Sequence, residues 1–164
     1  MKMQIDQMID QIARKLVDSL CKKNEYISTA ESCTGGMIAS SIVGVPGVSD
    51  CFNEAFVTYS NASKIKNLGV SNATIFKYGV VSNNVVKEMA IGVCKKTGAN
   101  MSIVTSGIAG PDGGTKEIPV GTVHMACMYD GKIIVERHLF KGDRADIRKQ
   151  ATLAALELCY NTMK

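Results

Sequence analysis

Apolar residues recur at helical spacing from the start of the chain. Ile5, Met8, Ile9, Ile12, Leu16 and Leu20 share one face, which predicts an amphipathic helix over residues 3–22 packed on a core. A short apolar run predicts a strand at 26–30, and Met37-Ile38-Ala39-Ser40-Ser41-Ile42-Val43 completes a helix expected over 34–43. Between them lies Thr29-Ala30-Glu31-Ser32-Cys33-Thr34-Gly35-Gly36, which has the order strand, small-residue turn, helix start. Val45-Pro46-Gly47-Val48-Ser49-Asp50 then breaks the chain into a loop. Residues 52–60, centred on Ala55-Phe56-Val57-Thr58-Tyr59, have the β-rich composition of a buried strand. Ser60-Asn61-Ala62-Ser63 suits a helix cap, and it puts Lys64 in the first turn, an unfavourable end for a cation. A short helical segment is expected at 71–78. Ser82 is placed to cap a longer helix through Lys96, with Val85, Met89, Ala90, Val93 and Cys94 inward and Gly98 ending it. Strands follow at 101–106, 120–129 and 132–140, the last two joined by Asp130-Gly131, a strong hairpin signal. Asp143 caps a final helix to Tyr160 that buries Ile147, Ala151, Ala154, Ala155 and Leu158.

One stretch fits no regular element. Gly107-Ile108-Ala109-Gly110-Pro111-Asp112-Gly113-Gly114-Thr115 holds four glycines and a proline in nine residues. A long loop placed directly after a buried strand is expected to be functional, because its N–H groups approach a ligand without Cβ hindrance. The whole alternation predicts one domain, a three-layer α/β/α sandwich with a mixed sheet and one antiparallel hairpin. Polar loops follow strands at 31–36, 60–64, 106–115 and 141–144. Ligands of open α/β sheets bind outside the carboxyl ends of the strands, so these four loops are expected to surround one cleft.

Composition narrows the partners. With 164 residues, 46% hydrophobic and 21% charged, the chain can bury a core without staples. No apolar run approaches the ~18 residues of a membrane span, and Asp6 and Asp10 interrupt any signal-like segment, so a cytoplasmic location is expected. A net charge of +4 is too mild to imply nucleic acid but is compatible with a small anionic substrate. Lys22-Lys23 and Lys95-Lys96 fit solvated helix ends. The six cysteines form no C-x-x-C and are expected to be reduced thiols. Two histidines, 124 and 138, give no zinc spacing, so neither metal nor cofactor is expected.

Ala30-Glu31-Ser32-Cys33-Thr34-Gly35-Gly36, Phe56-Val57-Thr58-Tyr59-Ser60-Asn61 with Lys64, Gly79-Val80-Val81-Ser82, Glu88-Met89-Ala90, Ser106 through Gly114, Pro119-Val120-Gly121-Thr122-Val123 and Gly142-Asp143-Arg144 occur in order along nearly the whole chain. Together they closely resemble the CinA C-terminal domain family, which includes bacterial nicotinamide-nucleotide amidohydrolases, here in a stand-alone form. The resemblance implies hydrolysis of the carboxamide of nicotinamide mononucleotide (NMN) by a metal-free serine/lysine pair, and a homodimer. Lys64 matches the family lysine. Two family serines, Ser32 and Ser49, are candidates for the hydroxyl partner. Ser63 stands where relatives often carry alanine.

The residues fit that chemistry. A serine hydroxyl attacks an amide only when a base takes its proton, and lysine serves as that base if desolvation or positive potential holds it neutral. A helix N-terminus beneath Lys64 supplies such potential. Oxyanion donors are available in the N–H groups of Cys33, Thr34, Gly35 and Gly36 or of the 107–114 loop. Tyr59 is placed to orient the lysine or carry a proton, Arg144 to hold the phosphate with its helix dipole, and Thr105, Ser106 and Gly107 to meet the ribose or carboxamide. Each has an ordinary alternative: Ser32, Thr34, Ser49 and Asp143 as caps, Lys64 as a solvated lysine, Tyr59 as a core residue, Arg144 as a surface ion-pair partner. Cys33 is a poor nucleophile candidate, with no histidine near it in sequence. A non-catalytic nucleotide- or partner-binding module tied to competence or damage responses is the alternative function. A triphosphatase is disfavoured, because G-x-x-x-x-G-K-[ST] does not occur.

Overall fold

A computed structural model describes residues 2–164, with side chains from residue 4 onward. Helix α1 (Lys2–Lys23) leads to β1 (Ile27–Glu31), α2 (Met37–Val43), a single 3-10 turn (Val48–Asp50) and β2 (Phe52–Val57). Helices α3 (Asn61–Leu68), α4 (Asn72–Tyr78) and α5 (Asn83–Thr97) follow. The chain closes with β3 (Met101–Gly107), β4 (Thr122–Tyr129), β5 (Lys132–Leu139) and α6 (Arg144–Thr162). One five-stranded sheet has the order β2-β1-β3-β4-β5. β1 runs parallel to both β2 and β3, whereas β4 is antiparallel to β3 as well as to β5. The sheet is thus mixed as expected, with a second antiparallel pairing beyond the Asp130-Gly131 hairpin.

Helices cover both faces. Leu16, Leu20, Ile38, Ile42, Ile147, Ala155 and Leu156 from α1, α2 and α6 pack on Ile27, Ile103, Val123 and Met125. Leu68, Val85, Val86, Met89, Ala90 and Val93 from α3 and α5 pack on Ala30, Val104 and Ala126. This is the three-layer sandwich, and the alternation of side chains along each strand divides its two cores.

Several local expectations change. β2 is an edge strand with most of its residues exposed, and it ends at Val57, so the buried strand over 52–60 is not observed. Its aromatic and β-branched residues suit a sheet edge as well as a centre. Met8 is 42% exposed, while Ala13 and Val17 complete the α1 face. Ala154 and Cys94 are only half-buried. Helix α2 begins at Met37, not at residue 34, because Gly35 and Gly36 have φ of +61° and +96°, left-handed values that a helix cannot contain. Ser60 and Ser82 do cap α3 and α5, accepting from the N–H groups of Ser63 and Val85. All six cysteines are free, and no helix among the described residues is long and apolar enough to cross a membrane.

Topology places the working end. From β1 the chain crosses through α2 to β2 on one side, then through α3 to α5 on the opposite face to β3 on the other side. The crevice at the carboxyl end of β1 is therefore a switch point of the kind where ligands bind in open α/β sheets. Glu31, Val57 and Thr105 lie side by side in register there.

Candidate active site

Beyond those strand ends lies a cleft of about 340 Å³. Ser32 and Cys33, then Tyr59, Asn61 and Lys64, then the loop from Ser106 to Gly113, and finally Arg144 contribute to its walls. All four predicted polar loops thus meet in one place. Val80 and Val81, from the turn between α4 and α5, join them unforeseen.

Lys64 is the least ordinary side chain in the molecule. It is 1% exposed. Its Nζ donates to Thr58 O at 2.7 Å and lies 3.2 Å from Ser32 Oγ. Sequence alone allowed a solvated lysine; instead α3, anchored by its Ser60 cap, points the amine back under the end of β2. No carboxylate pairs with it among the described residues. Burial pulls its pKa down to about 8, against a smaller upward pull from Cys33. An amine that can shed its proton near neutral pH, beside a serine hydroxyl, is the arrangement that activates a nucleophile.

The turn carrying Ser32 is braced by two residues that the sequence pattern did not mark as functional. Glu31, fully buried, turns its carboxylate onto the start of α2. Oε2 accepts from Gly36 N at 3.0 Å and Ile38 N at 3.1 Å, and Oε1 accepts from Ala39 N at 2.8 Å. That carboxylate does the work assigned to Ser32 or Thr34 as caps, and it leaves the Ser32 hydroxyl free to face Lys64. From α6, Arg148 donates through Nε to Cys33 O at 3.0 Å and through Nη2 to Thr34 O at 2.9 Å. Arg148 stands four residues after Arg144, on the same helix face, and that spacing was its available signal.

Other expected residues sort by position. Thr34 Oγ1 and Thr105 Oγ1 bond each other at 2.8 Å, fully buried beneath the cleft rather than lining it. Gly35 and Gly36 are outside the cleft lining too: Gly36 N is taken by Glu31, and Gly35 is exposed, with Arg148 Nη2 3.2 Å from where its Cβ would stand. Ser106 lines the cleft, but its hydroxyl donates to Val80 O at 2.9 Å, tying the 79–82 turn to β3. Tyr59 is 62% exposed on the rim, not a core residue. Its hydroxyl accepts from Arg144 Nη2 at 3.1 Å, while Arg144 Nη1 donates to Gly110 O at 2.6 Å. Asp143 and Asp146 close a reciprocal capping box at the start of α6, so what α6 brings to the cleft is the Arg144 guanidinium and not an open helix end. Ser49 is exposed in the 3-10 turn before β2, at the opposite end of the sheet from Ser32 within one chain. Ser63 is half-buried and accepts from Asn67, away from the cleft. Burial pushes the Cys33 thiol up to about 11, the turn's own N–H groups and Arg148 offsetting only part of that shift, so it stays protonated. No group of three or more His, Cys, Asp or Glu that could hold a metal ion occurs among the described residues.

Comparison with known proteins places the chain in a family. A family model described as the CinA C-terminal domain matches residues 9–163. A protein of Clostridium beijerinckii named for competence and damage induction is 49% identical over 150 residues, 92% of this chain but 36% of that protein. The chain thus spans about a third of the length of such relatives. Nicotinamide-nucleotide amidohydrolase PncC of Enterobacter agglomerans is 43% identical over 153 residues, 93% of each chain. Among solved structures, the competence/damage inducible protein CihA of Agrobacterium tumefaciens superposes with a TM-score of 0.89 at 36% identity, covering 92% of both chains. A competence damage-inducible protein of Klebsiella pneumoniae gives 0.91 at 30% identity, covering 94% of this chain and 96% of its own.

Proposed function

The chain belongs to the CinA C-terminal domain family, and from that premise and the cleft's geometry we propose that it hydrolyses the carboxamide of NMN to nicotinate mononucleotide and ammonia. The observation that carries the reading is the buried, unpaired Lys64 amine 3.2 Å from Ser32 Oγ. Similarity to a named amidohydrolase over 93% of each chain supports the substrate.

In the proposed reaction, neutral Lys64 takes the Ser32 proton as Oγ bonds to the carboxamide carbon. The oxyanion is met by N–H donors of the turn. Those of Ser32, Gly35 and Gly36 are spent on Thr105 O, Ser32 O and Glu31, which leaves the N–H of Cys33, a residue that lines the cleft. Collapse breaks the C–N bond, and the Lys64 ammonium returns its proton to the leaving nitrogen, which departs as ammonia. Water, deprotonated by the same amine, then opens the acyl-serine ester and releases the nicotinate product. Thr58 O holds the amine in place throughout. Tyr59 and Arg144, joined by a hydrogen bond on the rim, serve the phosphate end. The reaction requires no metal or cofactor. Cytoplasmic location and a homodimer are part of the same proposal.

Ammonia release from NMN in the presence of EDTA tests it, with Lys64→Met beside the unaltered protein. Turnover that survives EDTA and falls by about three orders of magnitude or more in Lys64→Met is expected. An unaltered protein that binds NMN without releasing ammonia overturns the reading in favour of a binding module.

A further inference from the structure

Asp112 is the one carboxylate among the described residues that lines the cleft. Glu31 lies beneath it, buried and spent on backbone N–H groups. Asp112 makes no hydrogen bond or ion pair with any described residue, although the Arg144 guanidinium bonds Gly110, two residues before it. The loop that carries it is braced. Ile108 N donates to Thr122 O at 2.9 Å and Gly121 N to Ile108 O at 2.8 Å. At Gly110 and Gly114 an added Cβ would come within 2.6 and 2.7 Å of Val120. Asp112 itself is exposed, so the braced backbone on either side holds an unpaired carboxylate at the cleft wall, open to a cation.

On the reading that the substrate is a nicotinamide nucleotide, the cation is already defined. Its ribosylated pyridine ring carries a positive charge, while its phosphate is anionic. The cleft presents Arg144 as a cation, Asp112 as an anion and Val80, Val81 and Ile108 as apolar surface. We propose that Asp112 is the counter-ion for the pyridinium ring, so that the cleft selects ring-charged nicotinamide nucleotides over ring-neutral ones. Together with Arg144 it distinguishes the two charged ends of one substrate and fixes which end faces Ser32.

The test compares NMN with ring-reduced NMN, which keeps the phosphate, ribose and carboxamide but has an uncharged ring. Affinities are measured by calorimetry in a Ser32→Ala background, with Asp112 intact, Asp112→Asn and Asp112→Glu. The expected result is that Asp112→Asn weakens NMN by about tenfold, leaves ring-reduced NMN within about twofold, and is largely rescued by Asp112→Glu. An unchanged ratio between the two nucleotides overturns the proposal. So does equal weakening of both, which assigns Asp112 only to loop structure. Ammonia release by protein with Ser32 intact reports separately on the hydrolase reading, so failure of one is distinguishable from failure of the other.

Discussion

Lys64 places its own chemistry on a pH axis. In the proposed reaction its amine must be neutral to accept a proton, and burial brings its pKa down to about 8. The expected kcat/KM profile therefore rises about tenfold per pH unit below that value and levels above it. A rise that continues beyond pH 9, toward the ~10.4 of an ordinary lysine, contradicts the buried-base account. The same shift has a stability sign. Above about 8 the folded amine has lost its proton while the unfolded one keeps it to about 10.5, so this group makes stability rise with pH across that window. In sequence, the lysine was visible as a cation at the wrong end of a helix, but its burial was not, because that depends on α3 packing on α5 and turning the amine toward Thr58 O and Ser32. Glu31 was less legible still. Its carboxylate reaches N–H groups five to eight residues onward only because Gly35 and Gly36 reverse the chain. The one local hint was that glycine, without a capping side chain, precedes Met37.

At the scale of elements, the helical and hairpin periodicities predicted most of the fold, since one buried face suffices to define each. Helices α1, α5 and α6 and the β4–β5 hairpin lie close to their expected bounds. β2 shows where pattern fails: an edge strand and a central strand share composition, and only strand order separates them. The convergence of four loops followed from the rule for open sheets, but the 79–82 turn joined them through a hydrogen bond between Ser106 and Val80 that has no sequence period. Helix α3 holds Lys64 in place by packing on α5 at a glycine. A Cβ at Gly92 would meet Leu68 O at 1.9 Å. Gly92→Ala is expected to destabilise the protein by about 1–3 kcal/mol and to lower kcat more than it raises KM, as α3 is pushed outward. Thermal unfolding and steady-state kinetics check it; an unchanged melting temperature would show that α3 tolerates the shift without strain.

Across the whole molecule, one design is apparent. Two apolar cores fix a sheet whose inner strand β1 runs straight into Ser32, and helices from both layers reach that single point: α3 from one with Lys64, α6 from the other with Arg144 and Arg148. Ser49, the other serine implied by family resemblance, lies about a strand length away at the far end of the sheet. The most direct test of the account is therefore ammonia release from NMN by Ser32→Ala and Ser49→Ala measured side by side. The account predicts a loss of about a thousandfold or more in kcat for Ser32→Ala and a change within about twofold for Ser49→Ala. Near-normal turnover by Ser32→Ala, with Ser49→Ala inactive, would contradict it.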